Sequence, residues 1–204
     1  ARIAGRWRDE HGAGADLQPV VDVGGHAAAN PLPETYVTFE IAGAARWDHE
    51  RTQGWRTRTA LHAFWLGLPA QTLASSFTFD AQVEHQDLVP QLTLGEDSGL
   101  RGYPARELSG SRVARFNFED RFDTGLEVLS LRIGAVGFFD AGWVHDDVYG
   151  RSISDPLASV GCGLRLGSSH FFGDRMLRID VAWPLTSVDG EEFDMSGGSD
   201  LDDK

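Results

Sequence analysis

Two short acidic triplets are the first residues in this sequence whose types and spacing could do chemistry. Asp97-Ser98-Gly99 and Asp123-Thr124-Gly125 match the aspartic-protease pattern, in which two carboxylates share one proton at close range. In such enzymes the two triplets come from separate lobes. Here they lie too near each other in the chain to belong to different lobes, so we predict that neither aspartate is catalytic.

The other residues that could support catalysis or bind a metal show no pattern typical of a site. No Gly-x-Ser-x-Gly elbow occurs, and the seven histidines show no His-x-x-x-His or similar ligand spacing. His145-Asp146-Asp147 is more typical of an exposed loop than of a cation site. Gly95, Gly99 and Gly102 do not precede a helical pattern, so a phosphate-binding loop is not supported. The sequence therefore predicts a protein that is not an enzyme and has no catalytic residue, metal or cofactor.

The charge balance disfavours a nucleic-acid-binding protein. The chain of 204 residues has a net charge of −13, whereas a phosphate backbone is neutralised by clustered Lys and Arg. Much of the acid lies in predicted loops and in the last residues of the chain, 186–204, which are also rich in Gly and Ser. We predict that this acidic tail is disordered and that residues 1–185 form the folded part.

Strict alternation of apolar and other residues is the strongest structural signal. In residues 129–141, for example, Leu131, Ile133 and Phe139 occupy one parity, while Arg132 and Asp140 occupy the other. Seven segments show this alternation, and one of them, residues 55–66, is less regular because Arg56, Arg58 and His62 lie on its polar side. They are residues 37–47, 73–85, 111–122, 129–141, 158–166, 177–185 and 55–66. The pattern predicts an all-β, antiparallel meander.

The length of these segments favours strands that cross a membrane. They run to about 10–13 residues, against about 5–6 for strands of globular proteins, and aromatic residues recur near their ends. No apolar run reaches the roughly 18–20 residues of a membrane helix, so contact with lipid requires a closed sheet. Alternation alone leaves a soluble β-sandwich or a lipocalin-like barrel open.

Four sequence elements in the last half of the chain carry a family resemblance. Residues 100–103 read Leu-Arg-Gly-Tyr, and residues 137–142 read Gly-Phe-Phe-Asp-Ala-Gly. Residues 161–165 read Gly-Cys-Gly-Leu-Arg, and residues 177–185 read Leu-Arg-Ile-Asp-Val-Ala-Trp-Pro-Leu. In this order and spacing they resemble the BamA-like superfamily of outer-membrane barrels, which includes TamA-type proteins and the bacterial surface-antigen family. The first ninety residues match only as alternating strands.

The resemblance implies a structural site inside the barrel. In the family the Arg-Gly-aromatic element lies in a loop that folds back into the lumen, where its Arg pairs with the Asp of the Gly-x-x-Asp-x-Gly strand. Carried over, Arg101 pairs with Asp140, Gly102 allows the tight turn and Tyr103 anchors the loop. The parity of Asp140, which shares the polar face with Arg132, agrees with a position in the lumen. The same resemblance implies supporting roles, which fall to Gly137, Gly142, Arg178 and Asp180.

The resemblance also implies a larger architecture than this chain supplies. Family barrels have about sixteen strands, follow periplasmic POTRA domains and close with a strand that ends in an aromatic residue. We interpret residues 1–185 as the C-terminal part of such a transmembrane β-barrel, possibly incomplete, because residues 191–195 are a poor candidate for the closing strand.

The function that follows is insertion, assembly or translocation of proteins at the bacterial outer membrane. The expected partners are outer-membrane lipid, unfolded or β-strand protein substrates and the POTRA domains of an upstream segment, and nucleic acid is not expected. Two alternatives stay open, namely a passive channel or structural barrel and a soluble β-sandwich that binds a ligand.

Overall fold

The chain folds as an all-β protein in a computed structural model, as the alternation predicts. The structure describes residues 2–9, 19–48, 51–84, 92–128, 131–145, 156–167 and 176–186. No helix within these ranges is long and apolar enough to span a bilayer. Of the predicted acidic tail only Thr186 lies among the described residues.

Most of the strands form one antiparallel sheet in which neighbours in sequence are neighbours in space. Its nine strands are β1 (Arg2–Asp9), β2 (Pro19–Ala29), β3 (Thr35–Asp48), β4 (Arg51–Trp65), β5 (Gln71–Glu84), β8 (Arg112–Val128), β9 (Leu131–His145), β10 (Leu157–Gly167) and β11 (Met176–Pro184). The meander is interrupted between β5 and β8 by a small ribbon of β6 (Leu92–Leu94) and β7 (Leu108–Gly110). We call residues 92–111 the inserted loop.

The predicted meander of long strands is confirmed, and the number of strands is larger than predicted. The seven predicted segments correspond to β3, β4, β5, β8, β9, β10 and β11, of which β8 has 17 residues. The pattern missed β1 and β2, since β2 contains Gly24-Gly25 and an alanine run in place of large apolar residues. Backbone pairing with β3 along its whole length compensates for that weak pattern.

The sheet has two distinct ends. Short turns join β2 to β3 at residues 30–34 and β4 to β5 at residues 66–70, and we call this the turn end. The inserted loop leaves and re-enters the sheet at the opposite, loop end. Within the described residues β1 and β11 each pair with one neighbouring strand.

The two faces of the sheet have opposite chemistry, and the buried one is polar. On the face that the inserted loop covers, which we call the inner face, several charged and polar side chains are buried. They are Asp80, Gln82, Glu119, Asp140, Ser159 and Arg165. The outer face instead exposes large apolar side chains on each strand from β2 onward, among them Phe39, Leu61, Phe77, Phe116 and Val160. This is the reverse of the arrangement in a water-soluble sheet protein.

A small apolar core lies between the inserted loop and the sheet at the loop end. It consists of Leu92, Leu94, Leu100, Tyr103, Leu108, Val113, Val144 and Leu157. Leu94 and Leu100 are almost completely buried, although both belong to the loop. Burial of this apolar surface fixes the loop against the inner face and places Arg101 over the polar strands.

Candidate functional site

Strand register assembles the polar residues beneath the inserted loop. On β8, β9 and β10 the residues Asn117, Asp140 and Ser159 lie directly opposite one another. The next inner-face row toward the turn end contains Glu119 on β8 and Phe138 on β9. Because side chains two residues apart along a strand share a face, these two rows present their side chains to the same part of the loop.

Arg101 of the inserted loop forms a two-point ion pair with Asp140. Its Nε lies 2.7 Å from Oδ2 and its Nη2 lies 2.8 Å from Oδ1 of the carboxylate. The Asp140 side chain is fully buried, and its Oδ1 also accepts a hydrogen bond from Asn117 Nδ2 at 2.8 Å. The pairing that the family resemblance implied is therefore present, in the bidentate geometry that only arginine supplies.

Two further carboxylates and one aromatic ring surround the same guanidinium. Arg101 Nη1 lies 2.9 Å from Glu119 Oε1 and 3.5 Å from Asp180 Oδ2. Its Cζ lies 3.5 Å from the centre of the Phe138 ring, which is a close cation–π contact. Burial disfavours the charged form of Arg101, but hydrogen bonding and attraction to Asp140, and then to Glu119, outweigh it and raise the pKa of the guanidinium.

Side chains of β8 bind the backbone of the inserted loop as well. Asn117 Nδ2 donates to the carbonyl of Gly99 at 2.6 Å, and Arg115 Nη1 donates to the carbonyl of Ser98 at 2.8 Å. Arg115 also forms an ion pair with the buried Asp80 of β5. The loop is thus held through its main chain immediately before Arg101, in addition to the arginine itself.

The two residues after Arg101 attach the loop to the end of the sheet. Gly102 has a φ of 87°, a conformation that favours glycine, and a Cβ there would lie 3.2 Å from the Cβ of Ala182. Tyr103 is buried, and its hydroxyl lies 2.8 Å from the carbonyl oxygen of Ala158 and 2.7 Å from that of Thr186. These contacts connect the loop to the start of β10 and to the residues that follow β11.

Arg178 and Asp180 of β11 extend the charged network toward the turn end. Asp180 pairs with Arg165 of β10, and its Oδ2 lies 3.2 Å from Arg178 Nη2. The same Nη2 lies 3.2 Å from Glu119 Oε1. Glu119 also accepts from Arg121 Nε at 2.8 Å and lies 4.0 Å from Arg165 Nη2, so this one carboxylate is within ion-pair distance of four arginines, Arg101 included.

The two motif glycines of β9 differ from each other. Gly142 lies on the inner face, where a Cβ would come within 2.7 Å of the Leu94 side chain, so it gives the inserted loop room to pack. Gly137 has the parity of Phe139 and so lies on the outer face, and a Cβ there would meet no atom within 4 Å. Gly137 thus belongs to the motif strand and lies on its outer face, as its parity in the sequence predicts.

The contacts of this site hold the inserted loop, and the two Asp-Ser/Thr-Gly triplets lie in different parts of the structure. Asp97 of the first triplet pairs with Arg106, whereas Asp123 of the second accepts the backbone N–H of Gly125 toward the other end of β8. The part of the chain that the structure describes contains no group of three His, Cys, Asp or Glu side chains placed to hold a metal.

Sequence reasoning missed several residues of the site, chiefly Glu119, Asn117, Phe138, Arg115 and Arg165. Parity alone would have assigned all five to the inner face, but parity does not say which residues of different strands lie side by side. That information depends on register, which brings Glu119 and Phe138 together from positions 19 residues apart in the sequence.

Comparison with protein-family models and with curated protein sequences finds no match for this chain. The resemblance to the BamA-like superfamily consequently rests on the motif residues named above and on their arrangement.

Proposed function

We propose that this chain forms part of a transmembrane β-barrel in the bacterial outer membrane, of the BamA-like kind that inserts or translocates proteins. The observation that carries the proposal is the inverted sheet, with charged residues buried on the inner face and large apolar residues exposed on the outer face. In lipid, an apolar outer face is the stable arrangement, and a lumen accommodates the charges.

The composition of the outer face supports contact with hydrocarbon. In the described strands from Val23 onward, register places one charged residue on this face away from the strand ends, Asp120 of β8. Asp120 accepts a hydrogen bond at 3.4 Å from Gln71, the first residue of β5, so even this charge lies near the turn end. Soluble monomers rarely expose continuous apolar patches of more than a few hundred Å².

The spacing of aromatic residues supports the same environment. Trp55 and Trp65 lie near opposite ends of β4, and both are exposed on the outer face. Ten residues of extended chain span about 33 Å, and a strand tilted by about 40° then covers a height of about 25 Å. That height equals the usual apolar band of outer-membrane barrels, whose borders carry aromatic girdles.

The inserted loop favours a role in handling proteins over an open pore. Arg101, Tyr103 and the apolar core attach the loop across the inner face at the loop end. The mechanism we propose is non-enzymatic: a substrate strand pairs with an exposed strand edge, or an unfolded chain enters the lumen, while the Arg101–Asp140 pair holds the loop. Backbone pairing at an edge needs no particular substrate sequence.

The test is the dependence of folding on a membrane-like environment. Residues 1–204 are refolded in buffer and in detergent micelles and compared by circular dichroism and heat-modifiable gel mobility. We expect strand signal and a mobility shift in micelles alone. A monodisperse folded monomer in plain buffer would contradict the barrel and favour a soluble sandwich, and ion conductance in planar bilayers without any effect on substrate proteins would favour a passive channel.

A further inference from the structure

A cavity of about 940 Å³ lies on the inner face at the turn end of the sheet. The turn before β5, the ends of β8 and β10 and the starts of β9 and β11 line it, and it contains four arginines: Arg121, Arg132, Arg165 and Arg178. The inserted loop and its apolar core cover the inner face at the other end. A ligand therefore reaches this turn-end cavity from the turn end.

The arginines of the cavity have more hydrogen-bond donors than the protein itself uses. Arg132 is exposed and forms no ion pair or side-chain hydrogen bond among the described residues. Arg121 and Arg178 are about half exposed; Arg121 uses its Nε on Glu119, and Arg178 uses its Nη2 on Glu119 and Asp180. The remaining Nη groups of these two residues have no acceptor in the described part of the chain.

The carboxylates that line the cavity leave these donors unused. Glu119 is already shared among Arg101, Arg121 and Arg178, and Asp123 accepts the N–H of Gly125 at 3.0 Å. Glu127 lies opposite Arg132 in register but forms no ion pair with it. Arg132 with its whole guanidinium, and Arg121 and Arg178 with their remaining Nη groups, thus present unused N–H donors to one space, and such donors recognise carboxylates.

We propose that the turn-end cavity binds an acidic segment of polypeptide, in which carboxylate side chains alternate with apolar ones. This proposal rests on the function proposed above and names the class of substrate that the lumen accepts. Carboxylates of the segment bind the free guanidinium donors. Its apolar side chains contact the apolar part of the lining, which includes Leu66, Leu68 and Ala70 of the turn before β5. The volume suits a ligand larger than a single ion, since pockets for organic ligands measure roughly 300–1,000 Å³.

Glu119 links this cavity to the inserted loop. It is the lining carboxylate that contacts both Arg101 of the loop and the cavity arginines Arg121 and Arg178. A bound acidic segment competes with Glu119 for those two arginines and leaves Glu119 to Arg101. Occupation of the cavity therefore strengthens the contact that holds the loop, and cleavage of the loop by protease falls when the peptide is added.

The binding experiment uses the full chain refolded in micelles and a fluorescein-labelled peptide of alternating Asp and Val. Fluorescence anisotropy measures its affinity for the unaltered protein and for Arg132→Gln, with an alternating Lys and Val peptide as the ligand control. We expect the protein to bind the acidic peptide and not the basic one. The affinity for the acidic peptide should fall as salt is added, and it should fall about tenfold in Arg132→Gln. Arg56→Gln is the matched control, because Arg56 is an exposed arginine of β4 outside this cavity.

Each other outcome contradicts the proposal. Equal binding of the two peptides, or equal losses in Arg132→Gln and Arg56→Gln, means that the cavity does not select acidic segments. Inorganic phosphate or phosphatidylglycerol vesicles are also added as competitors. If they displace the peptide from the unaltered protein at concentrations that do not change peptide binding to Arg132→Gln, the cavity is a phosphate site instead. Failure to bind by a protein that shows the heat-modifiable shift refutes the cavity proposal alone, whereas absence of the shift refutes the proposed function.

Discussion

At the scale of single residues, Arg101 is held by an arrangement that no other side chain can reproduce. Its planar fork reaches both oxygens of Asp140, a third donor reaches Glu119 and its flat face covers Phe138. The pKa of Arg101 is raised above its ordinary value, so the guanidinium is charged at neutral pH. Asp140 is fully buried, so removal of the Arg101 side chain leaves a buried carboxylate that keeps its hydrogen bond from Asn117 but has lost its cation.

Replacement of Arg101 should therefore release the inserted loop. For Arg101→Ala we expect a loss of about 3–5 kcal/mol in the free energy of unfolding in micelles, because Asp140 keeps its desolvation cost and loses its cation. Arg101→Lys should be intermediate, since a lysine keeps the charge but cannot make the two-point contact. Thermolysin cleavage before Leu100 or Leu108, followed by mass spectrometry, measures how far the loop opens.

Arg106→Ala is the matched control for that prediction. Arg106 belongs to the same loop, is highly exposed and pairs only with Asp97 at 3.4 Å, so its removal should change stability by less than about 1 kcal/mol. Equal cleavage rates in Arg101→Ala and the unaltered protein would show that the loop is held without the ion pair.

The sequence predicted the centre of this site and not its surroundings. Arg101 and Asp140 were identified because a motif names both and the parity of Asp140 agrees. Asn117 and Glu119 were visible only as polar members of a strand, because their neighbours are set by strand register. Phe138 was assigned to the inner face by parity, yet nothing in its type indicated a ring placed beneath a guanidinium.

At the scale of the strands, small residues on β10 make room for the groups that contact Arg101. A Cβ on Gly161 would lie 2.2 Å from Cζ of Phe138 and 2.3 Å from the carbonyl oxygen of Val181. A Cβ on Gly163 would lie 2.0 Å from Oδ1 of Asp180. The glycines thus allow the Phe138 ring and the Asp180 carboxylate to lie flat against β10 and beneath the loop.

Substitution of Gly161 should disturb the site from a position that does not touch Arg101. For Gly161→Ala we expect destabilisation by about 1–3 kcal/mol, because the added methyl displaces Phe138 or separates β10 from β11. Thermolysin cleavage of the inserted loop should rise with it. Gly137→Ala supplies the control on the neighbouring strand, where the added methyl meets no atom within 4 Å. Equal effects of the two substitutions would mean that Phe138 does not depend on the space at Gly161.

Strands were predictable from the sequence where large apolar residues mark one face. Segments such as β8 and β9 place large apolar residues on one parity and charged residues on the other, and both were found. The β2 segment carries Val23, two glycines and three alanines, so alternation is too weak to detect there. The ribbon of β6 and β7 is three residues long on each side, too short for any period to appear.

At the scale of the whole molecule, the stability of the protein depends on its surroundings, because the two faces of the sheet are inverted relative to those of a soluble protein. A soluble sheet protein buries its apolar face and exposes its charges, whereas here Leu61 is 41% exposed and Asp140 is fully buried. The same apolar surface that favours aggregation in water favours insertion in lipid. Alternation in the sequence could not decide which face is buried, since it assigns residues to two faces without saying which of the two is covered.

A pair of adjacent residues on β4 tests this inversion directly. Leu61 lies on the outer face between Trp55 and Trp65, while the next residue, His62, lies on the inner face. In lipid vesicles Leu61→Arg should lower the free energy of unfolding by about 2–4 kcal/mol, because an arginine near the middle of the bilayer loses its hydration. His62→Arg should cost less than about 1 kcal/mol, since its charge lies on the inner face, which is the lumen side of the proposed barrel. Urea titration followed by tryptophan fluorescence measures both, and a Leu61→Arg cost below about 0.5 kcal/mol would mean that water, and not lipid, covers the outer face.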